Sequence, residues 1–449
     1  MFYFVIVTLF ISIVDSENRN EPLILTPFIE SGKIESAKSL SKLQSIFFDC
    51  GTESYSGYLT VNKTFNSNLF FWFFQSKVAD APIILYLQGG PGVSIMVGVF
   101  LENGPFQFTE KLEFKCRNYS WTKKFSVLYI DQPIGTGFSF TDNDAGFSNN
   151  LNESTENLFI ALTQFFTLFE ELKKNEFYVI GESYAGKFAP AIAYRIHVDK
   201  SSNMNFKGIA VGNGLIDPYS TLEHSRFLYE LSLIDEQQRQ IIEKKENEIK
   251  QLIEVNDFEE AFYKYNALGS NYISDEKTMF FNFTGYDYYF NILQDKNPVN
   301  KTEFEKMYEK YKIIVNSFLH VGNKQNAISI VNFPVLNRLL DDFLRSVKEI
   351  FVVVMDNYKV LLYSGILDIS IPPVFTNRCL SSLQWKHKDA YLRSERKIWR
   401  NENNGEIYGY IKKAYDFYEV TIRNAGHLVI VDKPEVTLKL IDNFITNKM

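Results

Sequence analysis

Six short, near-continuous apolar runs constrain this chain more than any other feature. They are Pro82 to Leu87, Ser126 to Ile130, Phe177 to Ile180, Phe206 to Val211, Lys359 to Tyr363 and Tyr418 to Ile422. A strand that alternates apolar and polar residues covers one face only. Continuous apolarity requires both faces to be covered, as in a mostly parallel sheet held between layers of helices. The segments Ser56 to Val61 and Asn68 to Phe74 flank a polar turn and predict a hairpin leading into that sheet. Between strands, Leu158, Leu162, Phe165, Phe166, Phe169 and Leu172 recur at helical spacing and predict one buried stripe. At the end, Asp432 to Glu435 resembles a capping box, followed by Leu438, Ile441, Phe444 and Ile445 on one helical face. With 449 residues, 45% of them apolar, the chain can bury an α/β core of this size.

The strand rhythm breaks between about Tyr219 and Arg345. Asp235 to Val255 reads as a charged helix with a thin seam of Ile241, Ile242, Ile249, Leu252 and Ile253, and loops rich in Asn, Asp and aromatic residues follow. The rhythm resumes at Lys359. An inserted helical cap over residues 219–345, between core segments 17–218 and 346–449, accounts for the interruption.

Chemistry concentrates at the ends of the strands. The run from Phe177 leads into Gly181-Glu-Ser-Tyr-Ala-Gly186, a Gly-x-Ser-x-Gly pattern between a predicted strand and a helix-compatible segment. A serine at such a tight turn has strained dihedrals, and the flanking glycines remove the clashes that would forbid it. Ser183 is therefore the candidate nucleophile. Of five histidines, His427 alone lies between the last strand and the last helix, where a base is needed; His197, His224, His320 and His387 are placed elsewhere. Asp368, after the Lys359 strand, supplies the orienting acid in the order Ser183, Asp368, His427, and Asp217 is the weaker candidate. The glycine-rich stretch Gln88-Gly-Gly-Pro-Gly92 after the Ile83 strand offers backbone amides to an oxyanion. It lacks the Gly-Lys-Ser/Thr of a phosphate loop.

Several motifs in order resemble the serine carboxypeptidases. They are Gln88 to Gly92, Glu102-Asn-Gly-Pro105, Asp131 to Ser139, Gly181 to Gly186, Gly212 to Pro218 and Ala425-Gly-His427. The likeness runs from about Tyr55 to about Ile445. The head of the glycine loop and the runs Leu59 to Thr64 and Asn68 to Phe74 look most like the vitellogenic carboxypeptidase-like branch. The resemblance implies an α/β-hydrolase fold and an exopeptidase that removes C-terminal residues from peptides or proteins at acid pH, with no cofactor and no metal. By match, Ser183, Asp368 and His427 form the triad and the amides of Gly90 and Tyr184 the oxyanion hole. Gln88, Glu102 and Glu182 meet the substrate's terminal carboxylate. Carboxyls crowded there cannot all ionise, so at least one holds a proton. The chain departs from many relatives at Val93, Ile430 and Lys433, and its insertion contains no cysteine. An acyltransferase with an alcohol acceptor and a catalytically silent binding protein are the competing readings. The acidic cluster weighs against the first, and the intact triad against the second.

Phe2 to Val14 is apolar but too short to span a bilayer, and Val14-Asp15-Ser16 suits signal-peptidase cleavage, so residues 1–16 read as a signal peptide. The sequons at Asn62, Asn118, Asn152, Asn282 and Asn300 agree with a secreted or lysosomal destination. Cys50, Cys116 and Cys379 make no metal or redox motif and allow one disulfide or none. A formal charge of −7 and the absence of a long basic run argue against nucleic acid. No later segment predicts a membrane span, and the sequence leaves monomer and homodimer both open.

Overall fold

All the predicted runs become strands of one ten-stranded sheet in the computed structural model, which describes residues 21–44, 50–108, 113–199, 201–270, 277–296, 318–322 and 332–449. The hairpin is β1 (Glu53–Asn62) and β2 (Ser67–Gln75). β3 (Ile83–Leu87) follows, then a separate antiparallel pair, β4 (Phe106–Phe108) and β5 (Phe114–Cys116). The remaining strands are β6 (Ser126–Ile130), β7 (Phe177–Glu182), β8 (Phe206–Gly212), β9 (Lys359–Gly365), β10 (Lys397–Arg400), β11 (Ile407–Ala414) and β12 (Phe417–Ile422). Their order is β1-β2-β6-β3-β7-β8-β9-β12-β11-β10. The six strands from β6 to β12 in that order run parallel, and the antiparallel members lie outside them.

The strand period sorts side chains into two cores. Along β3, Ile83, Leu85 and Leu87 enter one and Ile84 and Tyr86 the other, all fully buried. The first core takes the helices Leu151–Leu168 and Ala185–Val198, including the whole stripe from Leu158 to Leu172. The second takes Ile441, Phe444 and Ile445 of the last helix, Pro434–Ile445.

Two local expectations fail. The helix at Pro434 has no side-chain cap. The Asp432 carboxylate instead accepts from the Gly426 amide at 2.7 Å and from Asn291 Nδ2 at 3.1 Å, because it ends the preceding turn Val429–Asp432 and faces back toward the histidine loop. In the helix Glu236–Glu254, capped by an Asp235–Gln238 box, Ile242 and Ile249 are buried but Ile241 faces outward. One step of helix rotates it off the narrow seam.

The helices between Tyr219 and Arg345 divide between the first core and a small separate cluster. Ile249, Phe258, Phe262, Leu336, Leu340 and Phe343 join the first core, while Leu228, Ile234, Ile242 and Phe280 cluster with Ile369 beside Asp368. Cys50 and Cys116 form a disulfide, and Cys379 is free and buried, with burial pushing its thiol up to about 12. Asn118, Asn152 and Asn282 are exposed, and Asn62 is half-buried with its side chain accepting from the Thr64 and Phe65 amides. The signal-peptide segment and Asn300 lie outside the described residues. No helix among the described residues is long and apolar enough to cross a membrane.

Candidate active site

Three parallel strands deliver the site to one sheet edge. Ser183 follows β7, Asp368 follows β9, and His427 follows β12, which is β9's neighbour. Ser183 has φ of 61°, a left-handed value that a serine rarely adopts. The turn is held by Ser183 N donating to Gly212 O and by the Gly186 and Leu215 amides donating to Ser183 O, each at 2.9 Å. Its glycines are needed for close approach. A Cβ on Gly181 would lie 2.5 Å from Ala185 Cβ, and one on Gly186 would lie 2.5 Å from Leu215 N.

Asp368 is fully buried and His427 nearly so. Their Oδ2 and Nδ1 are 2.8 Å apart. Asp368 Oδ2 also accepts from Asn213 Nδ2, and Oδ1 accepts from the Ser370 amide at 2.8 Å. The Asn213 side chain accepts in turn from Gly365 N at 3.2 Å. A carboxylate so surrounded can hold an imidazole in one tautomer, with Nε2 free for a proton. That Nε2 is buried and has no partner among the described residues. The imidazole stacks on Phe290, with ring centroids 4.3 Å apart.

The glycine loop lies directly against the serine turn. A Cβ on Gly89 would come within 2.8 Å of Ser183 Cβ and 3.1 Å of the Tyr184 amide nitrogen. Gly90 itself has φ of 107°. Below this loop, Gln88 Nε2 donates to Glu102 Oε2 at 2.6 Å, and the Tyr86 hydroxyl donates to the same oxygen at 2.8 Å. Burial raises the Glu102 carboxyl above its ordinary range against those two hydrogen bonds and the charges of Arg117 and His427. Burial raises Glu182 further, with the charge of Glu102 next and those of Asp368 and Asp432 adding, against a hydrogen bond from the Val429 amide. Glu182 Oε1 and the Tyr363 hydroxyl are both buried and unpartnered among the described residues. A protonated carboxyl with an open oxygen can donate a hydrogen bond to an anion.

The other candidates have partners outside the Ser183, Asp368 and His427 set. Asp217 accepts from the Ser220 hydroxyl and sits 3.4 Å from Lys348, and it pairs with no histidine among the described residues. His197 meets the Tyr358 hydroxyl, His224 meets Ser370 O, His320 meets Ser56, and His387 stacks on Tyr415. Sequence reasoning missed Asn213, Phe290 and Asp432. Asn213 lies inside the Gly212-to-Pro218 motif, so a signal for it was present; Phe290 sits in an aromatic run with no distinguishing pattern.

The model for the serine carboxypeptidase family matches residues 46–447. The chain is 40% identical to the human probable serine carboxypeptidase CPVL over 96% of its length and 91% of that protein's. It is also 40% identical to the venom serine carboxypeptidase of Apis mellifera, covering 96% and 92%. With the vitellogenic carboxypeptidase of Aedes aegypti it shares 38%, covering 94% and 90%. Among solved structures, the Saccharomyces cerevisiae prohormone-processing carboxypeptidase Kex1 superposes with a TM-score of 0.74 at 22% identity, over 91% of this chain and 96% of that one. That likeness bears on the fold, which is that of the α/β-hydrolases. The extent of the sequence match, together with the strained serine turn, makes the chain a member of the serine carboxypeptidase family.

Proposed function

We propose that the protein is an active serine-type carboxypeptidase that removes C-terminal residues from peptides at acidic pH through an acyl-enzyme on Ser183. The observation that carries this reading is the pair of buried carboxyls, Glu102 and Glu182, both raised above their ordinary range by burial, beside a serine held at positive φ. His427, oriented by Asp368, takes the Ser183 proton as the hydroxyl attacks the scissile carbonyl. The same imidazole then returns the proton to the leaving amine. The amides of Gly90 and Tyr184 meet the oxyanion, which is where catalysis of this kind gains most. Gln88, Glu102 and Glu182 receive the substrate's terminal carboxylate, and residues 219–345 cap the sheet edge to shape the side-chain pocket. The Cys50–Cys116 disulfide and the exposed sequons support passage through the secretory pathway, toward secretion or a lysosome-like compartment.

The test pairs one peptide as free acid and as C-terminal amide, each profiled against pH. An ionised Glu182 repels the terminal carboxylate, so KM for the acid is expected to worsen as pH rises through the cluster's apparent pKa. The amide escapes that penalty and has its optimum at higher pH. Ser183→Ala is expected to lose turnover on the order of a millionfold and to resist fluorophosphonate labelling. Identical acid and amide profiles would show that no protonated carboxyl meets the terminal carboxylate. Unchanged labelling of Ser183→Ala would move the nucleophile elsewhere.

A further inference from the structure

The insertion reaches into the catalytic loops themselves. The segment from Tyr288 to Ile292 crosses the sheet edge as a strap, and its backbone is tied to both loops that carry the base and its acid. His427 N donates to Phe290 O at 2.6 Å, and Ile292 N donates to Leu367 O, one residue before Asp368, at 2.9 Å. Asn291 Nδ2 donates to Asp432 Oδ2, the oxygen that also receives the Gly426 amide. Gly426 has no room for a side chain, since a Cβ there would lie 2.1 Å from Phe290 O and 2.8 Å from Asn291 Cβ. The Phe290 ring is itself braced by Tyr288 and Tyr289, with centroids 5.5 and 4.7 Å away.

From this geometry we propose that Phe290 is a positioning residue for the His427 imidazole, so that the inserted segment supplies part of the catalytic geometry as well as a cover. The proposal rests on His427 acting as the base. The Asp368 hydrogen bond fixes the imidazole at Nδ1 only and leaves the ring free to tilt about that point. A flat aromatic face at 4.3 Å and an interplanar angle of 26° removes the tilt. Nε2 then projects in a single direction. A reacting atom displaced by about 1 Å can lower a rate about a hundredfold, so loss of the stack is read in kcat.

The experiment compares wild type with Phe290→Leu and Phe290→Tyr on one free-acid peptide. It also follows the His427 ring signal by NMR with labelled imidazole, assigned by its disappearance in His427→Gln. Phe290→Leu is expected to lower kcat about tenfold to a hundredfold, with KM changed less than about twofold. Phe290→Tyr keeps the flat face and is expected to restore most of the rate. In wild type the ring-current field of Phe290 moves the imidazole signal upfield; that shift is expected to vanish in the leucine variant and persist in the tyrosine one. A KM rise with unchanged kcat would make Phe290 a substrate contact and overturn the proposal. Equal rates for leucine and tyrosine would overturn it too. If wild type neither cleaves peptide nor takes up fluorophosphonate, the carboxypeptidase reading fails. The strap is then judged by the imidazole signal alone, and a signal identical in wild type and leucine variant sinks it.

Discussion

Asp368 is held by three donors at zero exposure, and that saturation sets what its replacement will do. The substitution Asp368→Asn would turn an amide nitrogen either toward Asn213 Nδ2 and His427 Nδ1, which share one oxygen, or toward the Ser370 amide, and all three need an acceptor. The imidazole then favours the wrong tautomer. This variant is expected to lower kcat about 10⁴-fold with the loop intact. Asp217→Asn, whose partners are Ser220 and Lys348, is expected to change kcat per active site very little. Parallel kinetics on the two variants check this, and reversed effects would dismantle the assigned triad. The roles proposed for Ser183, Asp368 and His427 were legible because each rides on a strand end with a local signature. Phe290 was not, and for Asn213 the motif marked the position but not the role, because the contacts of both exist only after β8, β9 and residues 219–345 have closed on one another. Asp432 was misread for a related reason. Its local pattern offered a helix cap, and the tertiary demand of the Gly426 amide and Asn291 prevailed.

At the scale of elements, the helix Ala185–Val198 that leaves the serine turn is clamped from outside the sheet. Lys187 Nζ lies 3.0 Å from Asp342 Oδ2 and also donates to Asp342 O, and the Tyr184 hydroxyl reaches the same carboxylate at 3.4 Å. Burial lowers the Lys187 pKa against the opposing pull of Asp342, so the pair survives by mutual neutralisation. Removing one partner leaves a buried charge. Lys187→Met is expected to destabilise the protein by about 3–5 kcal/mol, and Lys187→Met with Asp342→Leu to recover most of that. Urea midpoints of the two variants decide it; a double variant no better than the single would mean the pair is not the cause. The helix itself was readable from the sequence, but its clamp was not, since Asp342 arrives 155 residues later. The same contrast holds for strands. The apolar runs all became strands, whereas β10 and β11 were overlooked because β10 is largely exposed, β11 is mostly half-buried, and between them they mix lysine, arginine and tyrosine with their apolar residues. A solvated antiparallel edge carries no continuous apolar run to read.

At the scale of the whole molecule, four buried or half-buried carboxyls among the described residues, Glu102, Asp131, Glu182 and Asp432, are raised above their ordinary range, and burial is the leading cause at each. A carboxyl whose folded pKa exceeds its unfolded value holds more protons when folded. Its contribution to stability is full below the unfolded pKa and falls as pH rises toward the folded one. His224 and His320 act in the opposite sense, because burial lowers both and penalises the fold as pH drops below about 6.5. The lowered carboxyls Glu53, Asp199, Glu236 and Glu248 sit in ion pairs at or near the surface and weigh little. Asp131 can be isolated from this sum. It is fully buried, accepts from the Ile95 and Phe138 amides at 2.8 and 2.9 Å, and is pushed up to about 7. Asp131→Asn cannot titrate and loses one acceptor, a pH-independent cost of about 1–3 kcal/mol. The stability gap between wild type and variant is therefore expected to be widest near pH 4 and to narrow by on the order of 2–4 kcal/mol as pH approaches 7. Above that it levels off, because both states of wild type are then ionised at this position. Urea unfolding of both proteins across that range measures the gap directly. A gap independent of pH would show that Asp131 is ionised in the fold throughout, and that this carboxyl adds nothing to the stability of the fold in acid.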